Sequence, residues 1–360
     1  MHHTALHDWH ALRGARMVDF AGWHMPVQYT SIVEEHNAVR NAAGLFDIAH
    51  MGRLHFTGPD ACALLDHLLT NDVTKLAEGQ IRYALVCNEA GGILDDVLVY
   101  RCSGFYMLVV NAANREKIVA WIEKHRPNFD AEVADRTFDR FMMALQGPNS
   151  IDVLNPLADA DVSALKYYHG AEMRVDGVPA LVSRTGYTGE DGFEVIVPVE
   201  TAAAVWRRIV DAGQTHGLLP AGLGCRDTLR LEAAMPLYGH EMDETVDPYT
   251  AGLGFGVRLK AGDFLGKQAL IAKKADDGLP QRVGFILEGR RIAREGAAVF
   301  VGGQRVGEVT SGTFSPTLQK PIAMGYLPAE HAAAETPVEI DVRGKRVTAR
   351  VAELPFYKRS

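Results

Sequence analysis

Apolar and polar positions along the chain follow two rhythms. "SIVEEHNAVRNAAG" (31–44) has helical spacing, opens at Ser31 with Glu34 at capping-box distance and ends at Gly44, so it predicts one helix. "RLHFTGPDACALLDHLLTND" predicts a short strand, then a helix opened by Pro59 with Leu64, Leu65, Leu68 and Leu69 facing inward. Strand-like runs follow at 81–88, 94–101 and 105–111, and helical spacing returns over 114–125. That order predicts a compact α+β unit with helices on one face of a largely antiparallel sheet.

A similar alternation recurs from about 140 to 233: the strand "RFMMALQG", a short helix after Pro148, strands around 180–184 and 193–198, and a helix over 200–215. The two stretches show no residue-by-residue repeat. From about 281, short strands such as "RVGFILEG", "RVGEVTSG" and "PVEIDVRG" are separated by Gly and Pro turns, which predicts a small all-β barrel or sandwich. The boundary falls in "KADDGLPQ" (274–281), whose composition suits a surface linker.

The 360 residues are 47% hydrophobic and 23% charged, ordinary globular material with enough apolar surface for two or three cores. A net charge of -8 and the lack of long Lys/Arg runs argue against nucleic acid or an anionic membrane as partner. No apolar run approaches a membrane span, and the N-terminus lacks a basic start followed by an apolar core, so a cytoplasmic protein is expected. Cys62, Cys87, Cys102 and Cys225 are far apart, which predicts reduced packing residues. His2, His3, His7 and His10 read as a frayed, solvated terminus, because no carboxylate or cysteine completes a ligand set, and no metal site is expected.

Three stretches carry chemistry. In "GGILDDVLVY" (91–100) the pleat puts Ile93, Asp95, Val97 and Val99 on one side and Leu94, Asp96, Leu98 and Tyr100 on the other, so the two aspartates cannot form a facing pair. Each needs a cation, hydrogen bonds or a ligand, or else ends the Gly91-Gly92 turn by bonding local backbone. In "RTGYTGEDGFEVIVP" (184–198) hairpin geometry accounts for the glycines but not for Glu194, embedded beside Phe193, Val195 and Ile196. A heterocycle with adjacent ring N–H and amino groups would supply it with donors; a structural ion pair is the other explanation. In "GLGCRDTLRLEAAMPLYGHEMDE" (222–244) Arg226 and Arg230 share a helix side, and one of them could hold a ligand carboxylate or a buried acid, the alternative being a solvated basic face. No Walker loop, GxSxG elbow or HExxH occurs.

Together, "GARMVDFAGWHMPVQY", "GLFDIAHMGRLHFTG", "GGILDDVLVY", "RTGYTGEDGFE", "CRDTLRLEAAMPLYGHEMDE" and "TSGTFSPTLQKPIAMGY" resemble, in order and over nearly the whole chain, the aminomethyltransferase (T-protein) family of the glycine cleavage system. The resemblance implies an α+β fold of two parts with mainly antiparallel sheets around a central folate channel, plus a C-terminal small β-barrel, in a three-domain cloverleaf. It implies a discontinuous folate-binding part of 1–50 and 141–250, a ferredoxin-like part of 51–140, a connecting segment of 251–280 and a barrel of 281–360. The implied activity is release of ammonia from the aminomethyl-lipoyl arm of the H-protein, a transient partner, and transfer of the methylene carbon to tetrahydrofolate.

By matching motif, Asp95 corresponds to the family's essential carboxylate near the folate, and Glu194 and Arg226 to its folate-binding pair. Met51, Tyr83, Asn111 and Tyr187 fall in pocket-lining segments, and Tyr357 or Arg359 in "PFYKRS" matches a tail that contacts substrate. Asp96 is then expected on the scaffold side. The rival readings are a folate-dependent O- or S-demethylase of the same fold and a non-enzymatic folate-binding accessory protein, the latter disfavoured by the cysteine-free "RTGYTGEDG".

Overall fold

The computed structural model describes residues 1–359. The chain packs as two compact units: Met1–Asp66, Asp72–Tyr83 and Val97–Arg226 form one, while His67–Asn71, Ala84–Asp96 and the chain from Asp227 onward form the other. Before the barrel the strands are β1 Arg16–Phe20, β2 Trp23–Gln28, β3 Ala43–Asp47, β4 Gly52–Thr57, β5 Ile81–Cys87, β6 Ile93–Cys102, β7 Phe105–Val110, β8 Glu132–Asp135, β9 Arg140–Gln146, β10 Gly170–Val175, β11 Val178–Ser183, β12 Gly192–Pro198 and β13 Leu218–Pro220.

β1 and β2 form a hairpin closed by Ala21 and Gly22, both at positive φ, the two-residue turn that matches strand twist. A six-stranded sheet runs in the order β10-β11-β12-β9-β3-β13, antiparallel apart from the β13–β3 pair. Phe141, Met143 and Leu145 of β9 and Phe193, Val195 and Val197 of β12 pack with Val205, Trp206 and Ile209 of the helix Ala202–Gly213. Each such fully buried side chain contributes roughly 1.5–3 kcal/mol. Alternation then sends Ala144 and Glu194, which are cross-strand partners, to the opposite face. β12 is buried on both sides, and Glu194 shares its face with the buried Ile196.

The second sheet runs β5-β6-β7-β4-β8. Its register sets Leu98 against Val109 and Tyr100 against Met107, with Arg53 and His55 of β4 opposite the same two β7 residues.

Helix Ile32–Asn41 is capped as expected, Ser31 Oγ accepting from the Glu34 N–H at 3.2 Å. It stops before the predicted Gly44, because Ala43–Asp47 is the strand between β9 and β13. Gly44 serves close packing: a Cβ there would lie 2.4 Å from Val39 Cγ2.

The other unit contains the barrel. Strand Gln281–Leu287 pairs with both Lys320–Leu327 and Arg346–Ala352, and this double pairing closes the six-stranded ring. Phe285, Val299, Val309, Leu327, Ile340 and Val351 fill it. Helix Leu223–Glu232 carries Arg230, which is 2% exposed and donates to Glu241 at 3.0 Å, Asp227 at 2.7 Å and Ser311 at 2.9 Å. Of the two arginines singled out in the sequence, Arg230 therefore holds a buried acid, and that acid is Glu241. No helix among the described residues is long and apolar enough to cross a membrane.

Candidate active site

The loop between β11 and β12 is fixed by buried polar side chains. Gln146 Nε2 donates to the Thr185 carbonyl at 3.0 Å, and Thr188 Oγ1 donates to Gln146 Oε1 at 2.9 Å. Arg40 donates to the Thr188 carbonyl and to Glu190, both at 2.8 Å, while Arg184 pairs with Asp191 across the loop base. A Cβ at Gly186 would fall 1.9 Å from Gln146 Oε1, so this glycine lets Gln146 reach the backbone. The frame presents Thr185 and Tyr187 in fixed positions.

Glu194, 6% exposed, accepts the Thr185 hydroxyl at 2.5 Å and the Tyr100 hydroxyl at 3.4 Å, both on Oε2. Ser183 Oγ lies 2.9 Å from Thr185 Oγ1 and 3.4 Å from the Tyr100 hydroxyl, which closes a small polar ring. Burial pushes the Glu194 carboxyl above its ordinary range, opposed by the Thr185 bond, the charge of Arg226 and the Tyr100 bond. Burial and the charge of Glu194 likewise hold the Tyr100 phenol well above its ordinary value. The carboxylate thus keeps one oxygen for the protein and gains from any further N–H donor brought to it.

The Arg226 guanidinium stacks 4.6 Å from the centre of the Tyr187 ring, a cation–π contact that holds a flat cation over a flat surface. Beside it, His50 is 2% exposed and its Nδ1 makes no hydrogen bond. Burial, then the charge of Arg226, depress its imidazole to about 3, so it is neutral at working pH. Behind lies a buried network in which Asp47 accepts from Thr4 at 2.6 Å and from the Ala49 N–H at 2.9 Å, and His10 Nε2 stands 2.9 Å from Asp47 Oδ2. The Tyr29 hydroxyl is 2.8 Å from His10 Nδ1. His10 is therefore a core residue, and the terminus read as frayed is ordered.

Of the sequence-selected residues, Glu194, Arg226 and Tyr187 are joined by these contacts and charges. Asp95 is fully buried on the β6 face shared with Val97 and Val99, whereas Asp96 is half-buried on the face that carries Leu98 and Tyr100. Met51 and Asn111, both half-buried, continue that second face by two-residue alternation on β4 and β7, from Arg53 and Val109 respectively. Tyr83 is half-buried on β5. In the tail, the Tyr357 N–H donates to the Glu232 carbonyl at 2.8 Å, and Arg359 is exposed.

Sequence reasoning did not single out Thr185, Ser183 or Tyr100 as partners of Glu194. The signal was there in part: Ser183 and Thr185 flank the first residue of the glycine-rich loop, and Tyr100 ends the apolar run that holds the aspartates.

Glu194 with both of its side-chain bonds on Oε2, the Arg226 cation backed by Tyr187 and the neutral His50 make a recess chemically suited to a flat ring bearing N–H groups. The chain matches the GCVT N-terminal domain over residues 6–261 and the glycine cleavage T-protein C-terminal barrel domain over 281–358. It is similar to aminomethyltransferases of Symbiobacterium thermophilum (50% identical over 99% of this chain and 97% of the relative) and Rubrobacter xylanophilus (51%, over 99% and 94%). The crystal structure of glycine cleavage system aminomethyltransferase T from Bartonella henselae superposes with a TM-score of 0.92 at 35% identity, covering 99% of this chain and 98% of that one. The chain belongs to the aminomethyltransferase family, the T-proteins of the glycine cleavage system.

Proposed function

We propose that the chain takes the aminomethyl group carried as a thioether-like S–CH2–NH2 on the lipoyl arm of the H-protein and transfers its carbon to tetrahydrofolate. The products are ammonia, the dithiol arm and 5,10-methylenetetrahydrofolate: the C–S and C–N bonds of the donor break, and two C–N bonds form to folate nitrogens. Glu194 reads the amino-pyrimidine edge of the pterin, with the ring N–H and exocyclic amine donating to its carboxylate. Arg226, flat against Tyr187, supplies the positive field that keeps Glu194 ionised when that edge docks. The observation that supports this reading best is the pinned, recessed Glu194, bonded by Thr185 and Tyr100 on the same oxygen.

For the carboxylate that assists the folate nitrogen, the choice lies within the Asp95-Asp96 pair. A reacting group must be reachable by substrate, and Asp96 is the half-buried member on the Tyr100 face, while Asp95 is fully buried. We therefore assign to Asp96 the role that motif matching alone gave to Asp95. It accepts the proton of the folate nitrogen that displaces ammonia and passes that proton to the departing amine, after which the C–S bond breaks and the second folate nitrogen closes on the carbon. General-base help of this kind contributes ~10²–10⁴-fold.

The test is ammonia release on mixing the protein with aminomethylated H-protein. Strong acceleration by tetrahydrofolate, with methylenetetrahydrofolate as product, is expected. Turnover of O- or S-methyl donors without response to the aminomethyl arm would favour the demethylase reading instead.

A further inference from the structure

The N-terminal histidines form a cluster that the transfer reaction does not use. The backbone arranges it: His2 N–H donates to the Gly22 carbonyl at 2.7 Å and His24 N–H to the His2 carbonyl at 2.9 Å, laying the first residues along β2. His3 then stacks on His7, the first residue of helix His7–Leu12, with ring centres 3.7 Å apart and planes within 2°. His7 Nε2 stands 2.8 Å from His24 Nδ1 on β2. One ring nitrogen from each of the three lies within 4.8 Å of the others.

We propose that His3, His7 and His24 bind one divalent transition-metal ion of the zinc class. Three separate segments converge on one point, which is what a tripodal imidazole site requires; a fourth position is left open to water. His7 Nδ1 is 3.1 Å from Asp8 Oδ1, so the carboxylate holds the proton on Nδ1 and leaves the Nε2 lone pair directed at the cluster. Without metal, His24 Nδ1–H donates to that lone pair. With metal, His24 moves its proton to Nε2 and both nitrogens coordinate.

Two nitrogens ~2.0–2.1 Å from a tetrahedral ion stand about 3.3 Å apart, so His7 and His24 need separate by only about half an ångström. His3, exposed and on a single short tether, closes the third side.

In the sequence these histidines lack a carboxylate or cysteine to complete a ligand set; the third ligand, His24, is distant in the chain and arrives only through the β1–β2 hairpin. His2, which looked like a member, instead packs on Trp23 and Phe138.

Titration calorimetry of the full chain with zinc chloride at pH 7.5 should show one ion per chain. His3→Ala and His24→Ala should each weaken that event at least tenfold, and Asp8→Asn should weaken it by a smaller factor. All three variants should melt at the parent's temperature without metal and lose the zinc-induced rise. Cobalt(II) should give the visible absorption of a four-coordinate ion with the parent and not with the variants. Binding should fade as pH falls below 6, when protons compete for the imidazoles. Substoichiometric binding by the parent, or parent-like affinity in both histidine variants, would overturn the proposal.

Discussion

Thr185 donates its hydroxyl to Glu194 Oε2 at 2.5 Å from a loop that Gln146 and Arg40 hold in place, so the shorter of the two side-chain bonds to the buried acid comes from a loop residue whose own carbonyl is pinned by Gln146. Removing a hydrogen bond to a buried charge costs ~1.5–3 kcal/mol. Thr185→Val should weaken tetrahydrofolate binding by roughly 10- to 100-fold on that basis. Thr185→Ser should retain most of it. Equal affinity in the valine and serine variants by calorimetry would remove Thr185 from the site.

Folate binding should also be pH-linked. The Glu194 carboxyl is raised by burial, and a pterin edge that donates hydrogen bonds prefers the ionised form. Affinity should therefore fall as pH drops through that raised value, and calorimetry in buffers of different ionisation heat should detect proton release on binding. Glu194→Gln should lose both the affinity and the proton release. An unchanged affinity in this variant would refute the assignment.

The two aspartates of β6 should separate experimentally. Asp96→Asn should lower turnover by ~10²–10⁴-fold with a small change in folate affinity and in melting temperature. Asp95→Asn, at a fully enclosed position, should act first on the melting temperature. The reverse pattern would return the catalytic role to Asp95.

His50 predicts an acid limit to stability. Its folded value of about 3 lies below the ordinary 6.5, so the unfolded chain binds the proton that the folded chain refuses. Its contribution is complete above pH 6.5 and is lost progressively as pH falls toward 3. His50→Asn should flatten the decline of unfolding free energy across this window, measured by denaturant melts. A parallel curve would contradict it.

In the barrel-containing unit, Arg230 and Glu241 are 2% and 0% exposed. Burial raises the Glu241 carboxyl, but Arg230, Ser311, Thr310 and the Leu237 N–H outweigh it and set the net shift below the ordinary value. The pair's stabilisation is therefore present at neutral pH and is lost as pH falls through that depressed value. Glu241→Gln leaves Arg230 buried without its counter-charge and should cost ~3–5 kcal/mol. Replacing both by apolar residues should recover much of it, as judged by denaturant midpoints.

Local rhythm carried most of the fold. Helices Ile32–Asn41, Arg115–His125 and Ala202–Gly213 and strands β5, β6, β7 and β9 follow from periodicity and caps, because their own apolar faces meet the core. β3 did not, since Gly44 reads as a helix stop and becomes a strand residue only by pairing between β9 and β13. The candidate site was legible where a single residue broke a pattern, as the buried Glu194 does. It was illegible where a contact comes from another sheet: Tyr100 looks like core until Glu194 is set against it. The pleat of "GGILDDVLVY" gave the two faces, but the difference in burial between Asp95 and Asp96 needed the structure.

The closed barrel has a consequence for how the protein is made. Strand Gln281–Leu287 leaves the ribosome early in this region, yet one of its two neighbours, Arg346–Ala352, follows only after all the other barrel strands. Until it arrives the ring is an open sheet with two unpaired edges, the form most prone to pair with a stranger. Nascent chains stalled before this strand should therefore be the species that chaperones must guard.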